Sequence, residues 1–144
     1  MRQTVDDVRQ VCEQENLARP LMIGVTILTS SGETEMSEVG IKADIPSQVL
    51  RLARLAADSG LDGVVASPHE SRSIREAVAK PGFTIVTPGI RGASATNDDQ
   101  RRVTTFMQAI QNGSDYVVIG RPIIQSADRR DAVRQIVDGA ETTK

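Results

Sequence analysis

The sequence predicts an α/β fold in which helices alternate with parallel strands. Three observations carry that expectation. Four short runs rich in β-branched residues recur along the chain, at 21–28, 61–66, 83–87 and 115–119. Each run is almost continuously apolar, the pattern of strands covered on both faces in a parallel sheet. The stretches between them place apolar residues at helical spacing behind recognisable start signals. The order reads αβαβαβαβα, which implies right-handed crossovers and helices packed outside the sheet.

Taken in order, Thr4 offers an N-cap hydroxyl ahead of Asp6 and Asp7, and Val5, Val8 and Val11 or Cys12 follow at helical spacing. That spacing makes Cys12 a core residue of the first helix. The first strand is Leu21 to Leu28, and Pro46 then opens a second helix with Val49, Leu52, Ala53 and Ala56 on one face and Gly60 beyond its end. After the second strand, Leu61 to Ala66, the segment Ser67-Pro68-His69-Glu70 forms a capping box with proline at the first helical position. His69 then sits in an exposed first turn, as a solvated surface residue. Phe83 to Thr87 is the third strand, and Thr105-Phe106-Met107-Gln108 is another capping box whose helix ends near Gly113. Asp115 to Ile119 is the fourth strand, and a last helix runs from about Ser126 to Gly139. An open doubly wound sheet and part of a (βα)₈ barrel share this order. A whole barrel takes about 250 residues, so four such units amount to half of one.

The 144 residues suit one domain, 1–144. Seventeen Lys and Arg against nineteen Asp and Glu leave a net charge of -2, and Phe83, Phe106 and Tyr116 are the only aromatic residues. Neither the field nor the stacking surface that nucleic acid requires is present. One cysteine forms no internal disulfide, and one cysteine with one histidine makes no four-ligand zinc site, so no metal is expected and a reducing compartment fits. Asp6 and Asp7 stand where a signal peptide would begin its apolar run. The longest apolar stretch, 21–28, falls far short of the roughly 20 residues of a membrane-spanning helix. A cytoplasmic protein without membrane or nucleic-acid partners is expected.

The residues that carry chemistry in parallel α/β folds lie just after the strands. Here these are Thr29 and Ser30, Ser67, Pro88-Gly89-Ile90-Arg91, and Gly120-Arg121-Pro122. The loop from Pro88 to Arg102 is long beside the usual connection of about 2–6 residues, and it carries Asn97, Asp98, Asp99, Gln100 and Arg101. A polar loop of this kind serves equally as solvated surface or as a cover over a charged ligand. Gly120 lets a ligand approach the backbone, and Arg121 offers a bidentate fork suited to phosphate. Arg91 and Gln100 reach toward the same place from the preceding loop. Together they outline a phosphate site made by the last loops of a barrel.

The segments Val86-Thr87-Pro88-Gly89-Ile90-Arg91, Asp98-Asp99-Gln100-Arg101-Arg102-Val103 and Gly113-Ser114-Asp115-Tyr116-Val117-Val118-Ile119-Gly120-Arg121-Pro122-Ile123 resemble orotidine 5'-phosphate decarboxylase. Val25 to Ser30 and Gly60 to Ser67 resemble that family's fifth and sixth strands, and the likeness covers almost the whole chain. A Gly-Arg-Pro after a strand is common to phosphate-binding barrels. The Asp-Gln-Arg-Arg segment after Thr-Pro-Gly-Ile-Arg is far more specific, and it argues against a related sugar-phosphate decarboxylase.

The resemblance implies strands five to eight of a TIM (β/α)₈ barrel, a half-barrel. It implies a cofactor-free lyase that converts orotidine 5'-phosphate to UMP and carbon dioxide in pyrimidine biosynthesis. It gives the phosphate to Gly120, Arg121 and Gln100 with Arg91 nearby, and it sets Thr29, Ser30 and Pro88 beside the pyrimidine. All are substrate-binding roles. The family's acid is a lysine in an Asp-x-Lys-x-x-Asp array on the first three strands, and no such motif occurs here, so no catalytic residue is expected in this chain. Lys42-Ala43-Asp44 imitates the motif with the wrong spacing, and Gly40 stands where the first Asp belongs. That segment reads as a loop and N-cap. The isolated chain is expected to be inactive and to need the missing N-terminal half or another copy of itself, as a homo-oligomer. A non-catalytic half-barrel that binds phosphorylated ligands or a partner chain is the alternative.

Overall fold

The computed structural model describes residues 1–28, 31–90 and 105–141. Seven helices and four strands occur among them: α1 Arg2–Gln14, β1 Ile23–Val25, α2 Glu33–Glu38, α3 Ile45–Asp58, β2 Gly63–Val65, α4 Ser71–Ala77, β3 Thr84–Pro88, α5 Phe106–Gln111, β4 Tyr116–Val118, α6 Arg121–Ile124 and α7 Arg129–Glu141. The strands form one parallel sheet in the order β1-β2-β3-β4. Sequence neighbours are therefore sheet neighbours throughout. A doubly wound sheet reverses its strand order at a switch point, and these four strands contain no such reversal.

The register divides the sheet into two unlike faces. Val64 pairs with Ile85, and Thr87 pairs with Val117. Val64, Ile85 and Thr87 are buried on the face that the helices cover. Beneath them lies a cluster formed by Val49, Ala53 and Ala56 of α3, Ile74 of α4, and Phe83. Burying side chains the size of Phe83, Ile74 and Ile85 contributes roughly 1.5–3 kcal/mol each. Alanine at 53 and 56 brings α3 close to the sheet, and Gly24 of β1 lies where a Cβ would stand 3.7 Å from the Ala56 methyl. Residues one step along each strand point the other way, where Val25, Tyr116 and Val118 are exposed. The continuous apolarity of the runs led to an expectation of strands covered on both faces. Among the described residues only one face is covered, because the helices that pack on the sheet lie on the same side.

The strands are shorter than their apolar runs, and several starts move. The first helix begins at Arg2 with Met1 as its N-cap, so Thr4 lies inside it and caps nothing. Val5 is buried, whereas Cys12 is only half-buried and stands outside the buried core cluster. Helix α3 starts at Ile45 with Pro46 in its first turn, and the Asp44 carboxylate accepts the Ser47 N–H at 3.0 Å. That hydrogen bond holds the Asp44 carboxyl below its ordinary range, and it makes 42–44 the loop and cap that the spacing implied. The capping box at Thr105 forms as expected, with Thr105 Oγ1 accepting from Gln108 N and Gln108 Oε1 accepting from Thr105 N. The one at Ser67 does not. Residues 68–70 make a turn, Ser67 Oγ accepts the His69 N–H, and α4 begins only at Ser71. His69 is exposed, as expected. Two short helices, α2 and α6, had no counterpart among the expected elements, and the last helix starts at Arg129 instead of about Ser126.

At the N-terminal edge of the sheet one device appears twice. Gly60-Leu61-Asp62 and Gly113-Ser114-Asp115 each lead from a helix into a strand, with Gly60 and Gly113 at positive φ where the helices stop. The Asp62 carboxylate accepts the Met22 N–H at 2.7 Å, while Asp62 N donates to Met22 O. Asp115 does the same with Ile85: its carboxylate accepts the Ile85 N–H at 2.7 Å and its N–H donates to Ile85 O. An arginine holds each carboxylate. Arg19 meets Asp62 with both terminal guanidinium nitrogens, at 2.9 and 2.5 Å, and Arg75 pairs with Asp115 while also donating to the carbonyls of Gly113 and Phe83. Between the two clasps, Gly63 lets β2 and β3 meet: a Cβ there would stand 2.1 Å from the Thr84 carbonyl oxygen. Among the described residues, no helix is long and apolar enough to cross a membrane.

Candidate functional site at the strand ends

Because the strands are parallel, their C-terminal ends lie along one edge of the sheet. β3 ends at Pro88, whose register partner is Val118, and β4 continues through Ile119 to Gly120 and Arg121. The structure therefore brings Pro88, Gly120 and Arg121 to the same edge of two neighbouring strands. Thr87, fully buried beside Pro88, donates its hydroxyl to Tyr116 O at 3.2 Å and ties the two strands there. Thr29, Ser30, Arg91 and Gln100 lie outside the described residues, as does the rest of 91–104.

Gly120 is the N-cap of the short helix α6, and its carbonyl accepts the N–H groups of Ile123 and Ile124. A Cβ at Gly120 would meet no atom of the described residues within 4 Å, so among them the space before its backbone is open. Arg121 follows at once and is exposed, with no ion pair among the described residues. An open backbone position next to an unneutralised guanidinium suits an anion with several acceptor oxygens. Arg19 and Arg75, by contrast, are already committed to carboxylates. Arg19 faces Asp62, which holds the Asp62 carboxyl below the usual carboxylate range and the guanidinium itself above its ordinary value. The open groove lined by Arg9, Cys12, Glu13 and Arg19 lies against the end of α1, beside the strand starts and away from these strand ends.

After β2 the chain turns at Ser67, which is buried. Its carbonyl accepts the Ser71 hydroxyl at 3.3 Å, and Asn112 Nδ2 donates to Pro68 O at 3.2 Å, so the turn is tied to α4 and to the end of α5. Glu70, expected inside a helix, is its N-cap, and one of its carboxylate oxygens is buried without a hydrogen-bond partner among the described residues. No described lysine stands on a strand: Lys42 precedes α3, and Lys80 donates to Leu61 O at 2.7 Å between α4 and β3. Among the described residues no cluster of His, Cys, Asp and Glu is suited to a metal ion. The arrangement can hold an anion and border a flat ligand. Among the described residues it contains no ammonium group placed to deliver a proton into the face of the sheet.

Comparison with known proteins identifies what the chain is similar to. The sequence model of the orotidine 5'-phosphate decarboxylase / HUMPS family matches residues 2–136. The orotidine 5'-phosphate decarboxylases of Pseudomonas fluorescens and Vibrio campbellii are each 47% identical over 129 and 130 residues, covering 90% of this chain and 55% of theirs. The crystal structure of orotidine 5'-phosphate decarboxylase from Lactobacillus acidophilus superposes with a TM-score of 0.70 at 34% identity, covering 86% of this chain and 50% of that one. The chain thus spans about half the length of the curated relatives it matches. Its parallel sheet, its sequential strand order and a match that runs through every strand make it a member of the orotidine 5'-phosphate decarboxylase / HUMPS family.

Proposed function

We propose that this chain supplies the phosphate- and pyrimidine-binding half, strands five to eight, of an orotidine 5'-phosphate decarboxylase barrel, and that decarboxylation requires a second half carrying the acid. The observation that carries the reading is the convergence of Pro88, Gly120 and Arg121 at one end of the parallel sheet, in a chain whose family match includes all three. Arg121 and the Gly120 backbone hold the phosphate, with Gln100 and Arg91 completing it from the preceding loop. Thr29, Ser30 and Pro88 border the pyrimidine. In the reaction implied by the resemblance, the C–C bond to the departing carboxylate breaks, its electron pair stays on the pyrimidine carbon, and a lysine returns a proton there to give UMP and carbon dioxide. That lysine must come from the other half, because the Asp-x-Lys-x-x-Asp motif is absent from these 144 residues. No cofactor enters. The setting is the cytoplasm.

Arg121→Ala tests the phosphate assignment in the chain complemented by the first half of a relative. Loss of one charge-assisted contact costs roughly 1.5–3 kcal/mol, so affinity for UMP should fall about 10- to 150-fold. Uridine, which lacks the phosphate, should bind as weakly to the variant as to the parent. Equal losses for UMP and uridine in a calorimetric titration would place the phosphate elsewhere.

A further inference from the structure

Among the described residues nothing covers one face of the sheet, and its composition is that of an interior. Val25 pairs with Val65, Val65 with Val86, and Val86 with Tyr116, so all four point to this face, as does Val118 opposite Pro88. Val25, Tyr116 and Val118 are 59%, 58% and 53% exposed, and no strand residue carries a charge. Among the described residues the two edges, β1 and β4, each have one side with no neighbouring strand.

We propose that in solution a second copy of this chain covers that face, the two sheets closing into an eight-stranded barrel about a two-fold axis running along it. Direction decides the arrangement. All four strands run the same way, so an axis along the strands places the free edge of β4 beside β1 of the other copy in the parallel sense, and the same rotation closes the second seam identically. An axis across the strands would instead join β1 to β1 or β4 to β4 in the antiparallel sense and leave one edge open on each copy. Twice four strands also gives the number whose interior side chains just fill. The helices flanking the seams carry matching apolar exposure: Val11 on α1, and Val133 and Val137 one turn apart on α7. Each seam would set α7 of one copy beside α1 of the other. The inference rests on the fold alone, so it can fail while the decarboxylase reading stands.

Light scattering on the purified 144-residue chain at micromolar concentration should give twice the monomer mass. Val25→Asp with Val118→Lys puts charge on two positions already exposed in the monomer, and should give a monomer with unchanged helix content by circular dichroism. Hydrogen exchange on the unmodified chain needs no variant: amides of β1 and β4 should slow as concentration rises, while those of β2 and β3 change less. Adding the first half of a relative should displace the second copy and yield a one-to-one complex, since both need the same face. A monomer at every concentration, a dimer that survives the charged pair, edge amides indifferent to concentration, or a homodimer that binds the added half without dissociating would each overturn the proposal.

Discussion

Asp62 accepts hydrogen bonds from Arg19 and from the Met22 backbone with one carboxylate, and its own carbonyl takes the Thr84 N–H, so a single residue ties β1, β2 and β3 together at their starts. Its side chain is 15% exposed and that of Arg19 31%, which shelters the pair without burying it. Asp62→Asn should destabilise the chain by roughly 1–3 kcal/mol at neutral pH, read from urea midpoints. The pH dependence has a definite sign. The Arg19 hydrogen bond, ahead of the opposing cost of desolvation and the helping Met22 N–H, lowers the folded-state pKa of Asp62. Its contribution is therefore full above the unfolded value of about 4 and is lost as the pH falls through the lower folded value. The gap between parent and Asp62→Asn should close in acid; a gap that widens there would contradict the assignment. The sequence places the two aspartates only at the starts of the runs 61–66 and 115–119. Their partners were not legible, because Arg19 lies 43 residues from Asp62 and Arg75 lies 40 from Asp115, beyond any local pattern. Of the site, Pro88, Gly120 and Arg121 were legible for the opposite reason: in a parallel sheet, following a strand is enough to fix the edge on which a residue stands.

Whole elements were easiest to read where one side chain sets the boundary. Thr105 and Gln108 satisfy each other's backbone N–H groups, and Asp44 caps α3 through Ser47. Helix α5 has only six residues, so its cap is a large share of its stability. Thr105→Ala should cost about 0.5–2 kcal/mol and should speed amide exchange in α5 before it does so in α3; uniform exchange across both would mean the cap is dispensable. Where two arrangements compete, the signal misleads. Ser67 and Glu70 have the letters of a capping box, yet Ser67 spends its hydroxyl on the His69 N–H and the helix starts one turn later. Helix α2 escaped because Glu33-Thr34-Glu35-Met36-Ser37-Glu38 has no apolar period, and it starts with the Gly32 N–H on the Glu35 carboxylate. Helix α6 was hidden by Pro122, which reads as the end of a strand loop and stands instead in a first helical turn, where proline is tolerated.

At the scale of the molecule, the described helices sit on one side of four sequentially ordered parallel strands, and among the described residues nothing covers the valines and the tyrosine on the other side. Apolarity along a strand reports what the residues are fitted to contact, not whether that contact is present, which is why continuous runs implied two covered faces. The family supplies the reconciliation: relatives about twice this length match it across about half of theirs. Under the proposed function this half binds and another half protonates. The most direct measurement is decarboxylation of orotidine 5'-phosphate by the purified chain, alone and after addition of the separately produced first half of the Pseudomonas fluorescens relative, both made in a host lacking its own enzyme. The chain alone should give no turnover, and the mixture should release carbon dioxide and UMP. Turnover by the chain alone, or a folded one-to-one complex that binds UMP and stays inert, would contradict it.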